Sequence, residues 1–188
     1  EAERSFAHAG LGDLFEDVLD DVLPSLAPPR RHALEVALLL DEAREDPVDH
    51  RALAVAVRGA LVALSERERV VIAVDDVQWL DPSSANSLAF ALRRLGEKDV
   101  RLLLARRRAS GVEESELESA LPAERVHVSP LSVGALHRLL SDRLGRSFPR
   151  QTLVRIHERS GGNPFFALEI AGALDGDVDP LAPLPVPP

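Results

Sequence analysis

Cysteine, methionine and tyrosine are all absent from this 188-residue chain, tryptophan occurs once, and the only lysine is Lys98. Without cysteine there is neither a disulfide framework nor a thiolate metal site, which fits a reducing, cytoplasmic setting. The six histidines, at positions 8, 32, 50, 127, 137 and 157, fall on different predicted elements without metal-ligand spacing. One Trp and six Phe offer too few rings to stack a single-stranded nucleic acid. No run approaches the roughly 18 apolar residues of a membrane span, and the first residues lack the basic and apolar regions of an export signal. Ser83, Ser84 and Ser87 have no nucleophile-elbow context, so a hydrolase triad has no support.

Charge of one sign is also scarce. Acids outnumber bases to give a net charge of −9, which argues against a surface that holds a nucleic-acid backbone. The short arginine groups at 106–108 and at 143, 146 and 150 read as solvated faces. A hydrophobic content of 45% and a mean hydropathy of −0.04 describe an ordinary soluble protein.

What is present is periodic. Leu11 to Leu23 spaces Leu14, Phe15, Val18 and Val22 at helical intervals, with Asp13, Glu16, Asp17, Asp20 and Asp21 opposite, and predicts one amphipathic helix with an acidic face. Arg30 to Asp41 predicts a second helix, Glu42 to Asp49 a polar loop, and His50 to Leu64 a nearly all-apolar third helix. Val70-Val71-Ile72-Ala73-Val74 has no polar alternation, so it predicts a strand covered on both faces. Asp81 to Leu95 predicts a helix, with Asp81 as its N-cap and Pro82 in its first turn. Val100 to Ala105 predicts a second buried strand, Glu113 to Ala120 a short acidic helix and Arg125 to Val128 a third strand. Helices alternating with strands point to a parallel sheet. Beyond Pro130 the pattern changes to three successive helices, Ser132–Leu144, Pro149–Arg159 and Pro164–Leu174, and then to a proline-rich tail.

The first strand ends in Asp75-Asp76. Ligands of open α/β sheets bind outside the carboxyl ends of strands, and an apolar strand followed by an acid is the Walker B arrangement, in which a carboxylate manages the water shell of a magnesium ion on a triphosphate. A plain structural alternative is that the acids only end the strand and cap the next turn. A two-carboxylate hydrolase built on Asp75 with Asp76 or Asp81 is disfavoured, because adjacent strand residues point to opposite faces.

VVIAVDDVQWLDPSSANSLAFALRRL, then VRLLLARR, then SGGNPFFALEIAGAL resembles the AAA-type, STAND-class ATPase module of large LuxR-type transcriptional regulators. The resemblance runs from about Phe6 to the tail. It implies a P-loop NTPase-like α/β fold, partial because the P-loop strand is lacking, over residues 1–130, a helical lid segment over 131–174 and a linker over 175–188. It implies ATP and Mg2+ as cofactors of the intact parent, with Asp75 at the metal shell, Asp76 orienting water, Arg107 reading the γ-phosphate (Arg106 if the register shifts by one) and Pro164 near the adenine. Trp79 and Asp81 are given structural roles. The implied partners are the nucleotide, other domains of the same polypeptide, and DNA only through a separate C-terminal domain, with no membrane.

One departure is decisive. A P-loop reads G-x-x-x-x-G-K-[ST], whereas Lys98 follows Glu97 and no glycine precedes a lysine. The resemblance places the missing loop and strand upstream of Glu1, with the strand's slot between the second and third strands, so the segment alone is expected to be inactive and weakly stable. The other reading is a non-catalytic interaction scaffold that has lost its phosphate loop.

Overall fold

The computed structural model describes residues 6–40, 49–107 and 114–174, and the chain divides into two compact units, 1–124 and 125–188. The expected linker over 175–188, most of the expected loop after Asp41, and Glu113 lie outside the described residues.

The first unit begins with α1 (Ala9–Phe15), a 3-10 turn (Glu16–Val18), α2 (Leu19–Val22) and a second 3-10 turn (Leu23–Ser25). The single amphipathic helix expected over this stretch is therefore broken into four short pieces. Like charges explain it: Asp13/Asp17, Glu16/Asp20 and Asp17/Asp21 are all i,i+4 pairs, and each such pair disfavours a continuous helix. The apolar side still packs inward through Leu11, Phe15 and Val22. After α3 (Pro28–Ala37), α4 (His50–Ser65) starts at Asp49, whose side chain accepts from the Arg51 and Ala52 amides.

β1 (Val70–Val74) and β2 (Val100–Leu104) form a parallel two-stranded sheet with Val70 opposite Val100 and Val74 opposite Leu104. Between them α5 (Pro82–Leu92) supplies the crossover. Ile72 on the inner face joins Leu53, Val57, Leu61, Leu88 and Leu92 of α4 and α5 in the main core. The expectation of a strand covered on both faces fails here. Val71 is 58% and Leu103 64% exposed on the other face, so an apolar surface that alternation would have made polar lies open among the described residues.

The expected third strand, Arg125–Val128, is not a strand, and Val126 and Val128 are largely exposed. Residues 116–119 turn rather than form the expected helix. These differences leave the class intact. The fold is α/β, a small parallel sheet flanked by helices, as in a partial P-loop NTPase-like domain.

The second unit holds α6 (Val133–Leu144), α7 (Arg150–Ser160) and α8 (Pro164–Gly172), packed on Leu136, Leu140, Ile156 and Ile170. Ser132 caps α6 and Asn163 caps α8, accepting from the Phe165 and Phe166 amides. Between α7 and α8 the chain passes through Gly161 and Gly162, both at positive φ. A Cβ on Gly162 would lie 2.7 Å from the Leu131 carbonyl oxygen, so the joint requires glycine there. Arg146 closes the unit by donating to the Ala171 and Leu174 carbonyls at the end of α8.

Candidate functional site

Both strands end at the same place, and two backbone hydrogen bonds tie the exits together. Ala105 N–H donates to the Val74 carbonyl and Val77 N–H to the Ala105 carbonyl, each at 2.9 Å. Between these bonds the chain must turn within two residues. Asp76 does so in the left-handed region (φ 48°), a backbone that aspartate tolerates better than most residues, and Val77–Trp79 follows as a 3-10 turn.

The turn sends the two acids in different directions. Asp75 is exposed, and its Oδ1 accepts from the Asp76 amide at 2.9 Å. Asp76 faces the exit of β2, where Arg107 grips it with both arms of the guanidinium: Nε to Oδ1 at 3.0 Å and Nη2 to Oδ2 at 2.9 Å. Gln78 Nε2 adds a third bond to Asp76 Oδ1 at 2.9 Å. The Gln78 and Arg107 bonds hold the Asp76 carboxyl below the usual carboxylate range. Of the two arginines considered from sequence, Arg107 meets Asp76 while Arg106 pairs with Glu118 at 2.8 Å. Pro164 lies in the other unit, at the first position of α8.

Beside this turn lies an open cleft of about 340 Å³, walled by Gly10, Asp13 and Leu14 on one side and by Val74, Asp75, Trp79 and Asp81 on the other. Among the described residues no lysine or arginine lines it. Its position depends on a contact that the sequence did not announce. Asp81 is 2% exposed and accepts three N–H groups: Ser84 N of its own helix at 2.9 Å, and His8 N and Gly10 N at 2.9 and 3.1 Å. Ser84 Oγ accepts from Leu11 N at 3.0 Å. The start of α1 has no side-chain cap of its own and is capped instead by the start of α5. Burial pushes the Asp81 carboxyl up, but the bonds from Ser84, His8 and Gly10 outweigh it and leave the group below its ordinary value. A Cβ on Gly10 would press on Leu80 Cδ1, the end of a side chain that can swing aside, so glycine eases the approach of α1 to the turn.

Sequence reasoning gave Asp81 its N-cap role and missed its second task, because His8 is 73 residues away. It also passed over Gln78. The sequence offered only an amide between the acid pair and Trp79; its burial is shown by the structure.

The cleft suits a hydrated magnesium ion. Its polar walls are carboxylates, hard oxygen donors, and six waters at about 30 Å³ each fit within it. Among the described residues no three histidine or acidic side chains gather as a metal cage, which a magnesium ion held through one carboxylate and its water shell does not require. A phosphate cradle is not part of this chain's sequence, and no step through a bound nucleotide follows from the structure alone. Among the described residues no helix is long and apolar enough to cross a membrane.

A family model described as AAA ATPase domain matches residues 3–105, which takes in the first unit from its N-terminal turns to the end of β2. No curated protein and no solved structure matches the chain.

Proposed function

Because the chain belongs to the AAA ATPase domain family, we propose that it carries the magnesium-managing and sensing half of an ATP-binding switch domain, and that the phosphate loop is supplied by polypeptide outside these 188 residues. The observation that carries the reading is the meeting of Asp75, Asp76 and Arg107 where the two strands end. The open apolar sheet face at Val71 and Leu103 supports the second clause, since a sheet of this family is covered on both sides.

In this reading Asp75, exposed in the cleft, would hold the water shell of a magnesium ion, which when bound would supply charge neutralisation to the triphosphate. Asp76 orients the attacking water. Arg107, whose side chain is 79% exposed, leaves Asp76 to contact the γ-phosphate. By the family resemblance, Pro164 would be the residue offered to the adenine, and the segment 131–174 would act as the lid that responds to nucleotide. The parent is a cytoplasmic LuxR-type transcriptional regulator that contacts DNA through a separate domain; the SGGNPFF joint and the net charge of −9 are the features that favour this assignment.

Nucleotide binding tests it. A polypeptide extended at its N-terminus to include a G-x-x-x-x-G-K-[ST] loop should bind ATP in a magnesium-dependent way, read by Trp79 fluorescence at the cleft wall, and Asp75→Ala should weaken that dependence. The 188-residue chain alone should show no response. Tight magnesium-dependent binding by the short chain, or none by the extended one, defeats the proposal; the second outcome favours a non-catalytic scaffold.

A further inference from the structure

We propose that Gln78 is a positioning residue for ATP hydrolysis, holding Asp76 in place once Arg107 has turned to the phosphate; this rests on the switch reading of the site. Gln78 is 8% exposed, and its carboxamide is used at both ends. Oε1 accepts from the Arg107 backbone N–H at 3.3 Å, and Nε2 donates to Asp76 Oδ1 at 2.9 Å. Only one orientation of the amide satisfies both neighbours, because a backbone N–H must meet the oxygen and a carboxylate must meet the NH2. The side chain therefore bridges the two strand exits and fixes the acid of one against the backbone of the other.

The consequence appears when the arginine moves. Asp76 accepts three side-chain hydrogen bonds, two of them from Arg107. The Arg107 side chain is 79% exposed, whereas Gln78 is enclosed and bonded at its far end to the Arg107 backbone, which does not leave with the guanidinium. After departure of the guanidinium, the Gln78 amide is, among the described residues, the side-chain partner that remains on Asp76. It then keeps the left-handed turn at Asp76 and the carboxylate direction while that carboxylate orients water. A residue in this position acts on the chemical step, and nucleotide affinity, set by the phosphate loop and Asp75, is left nearly unchanged.

Two near-isosteric replacements separate this from packing. Gln78→Met keeps length and volume without polar atoms, and Gln78→Glu keeps shape and the acceptor but sets a carboxylate against Asp76. In the N-terminally extended polypeptide, both should lower kcat about tenfold or more while KM for ATP stays within about twofold. The Trp79-detected melt identifies any variant that does not fold, in which case the other decides. Unchanged kcat in a folded variant, or a loss confined to KM, overturns the proposal while leaving the switch reading intact. Collapse of both melts makes Gln78 a core element and overturns it too. Absence of turnover in an unsubstituted extended polypeptide that still binds ATP overturns this proposal alone, whereas absence of ATP binding overturns the switch reading and this proposal with it. In the 188-residue chain, amide hydrogen exchange gives a check free of nucleotide: the Arg107 N–H should exchange faster in Gln78→Met than in the unsubstituted chain, and equal rates count against the bridge.

Discussion

Replacing Asp81 by alanine removes one carboxylate but orphans three backbone donors at the starts of two helices. Loss of the α5 N-cap costs about 1 kcal/mol. The His8 and Gly10 amides each lose a charged acceptor, at about 1–3 kcal/mol for a buried donor, but Gly10 lines the open cleft and recovers part of its loss from water. The total is about 3 kcal/mol, concentrated in the first unit. Asparagine distinguishes this account from a simple loss of charge. Oδ1 takes the bonds from Ser84 and His8, and Oδ2 only that from Gly10. Asn can keep the first two and lose only the third, so Asp81→Asn should cost about 1 kcal/mol. Trp79 is the only tryptophan and lies two residues from Asp81, so urea denaturation followed by its fluorescence reports the first unit without assuming that both units melt together. A loss below about 1 kcal/mol in the alanine variant, or an asparagine variant as damaged as the alanine one, would refute the oxygen-by-oxygen assignment. The same carboxylate predicts an acid limit. The unfolded carboxyl takes up its proton near about 3.9 and the folded one only at lower pH, so its contribution is complete above the unfolded value and disappears as pH falls through the folded one. Asp81→Asn should flatten that part of the stability profile.

His8 adds a second pH dependence at the same joint. Burial lowers its pKa despite Asp81 nearby, so the folded state favours the neutral ring, and Trp79-monitored stability should begin to fall as pH drops below about 6.5. His8→Asn, which suits the left-handed backbone there, should remove that slope, and persistence of the slope would locate its source elsewhere. In the second unit, Arg146→Met should release the last carbonyls of α8 and the stacking on Phe148, speeding amide exchange across α8 by the equivalent of about 2 kcal/mol; unchanged α8 protection would show that the cap is redundant. The open sheet face predicts self-association of the 188-residue chain. Val71→Lys with Leu103→Lys should reduce it in light scattering with little change in the first unit's stability, since neither side chain is buried, and a large loss of stability would mean that the face is covered.

What could be read from sequence was local. Asp49, Asp81, Ser132 and Asn163 each precede a helix whose first amides they accept, and such caps act over three residues. The α4 and α5 periodicities and the two strands were legible for the same reason. The break-up of the stretch 9–25 was legible in principle from its i,i+4 acid pairs, but the apolar spacing of Leu11 to Leu23 masked it. Residues 125–128 have strand-like composition, and composition does not say whether a neighbouring strand exists to pair with. At the site, the acids and Arg107 were marked by their types and by the strand ends. The His8–Asp81 and Gln78–Arg107 bonds join residues 73 and 29 apart, and nothing in either local pattern encodes them.

A two-stranded sheet with one open face is a marginal structure in water, yet the bonds that shape its carboxyl end are made away from that face. The positions of Asp75 and Asp76 are set by the Ala105 bonds to Val74 and Val77, by the Gln78 bridge and by the Asp81 joint, all within the first unit. Each of these lies at the end of the sheet or on the covered side, where α4 and α5 pack on Ile72. Asp75 and Asp76 are thus set in place by contacts within the first unit, from residues on both sides of them in the chain, whereas a G-x-x-x-x-G-K-[ST] motif is not among these residues. Supplying the phosphate loop should therefore create nucleotide binding without rebuilding the acid turn. Amide exchange at residues 74–79 should be nearly the same in the 188-residue chain and in the extended polypeptide before ATP is added, and a turn ordered only in the longer one would show that the acids depend on the added segment.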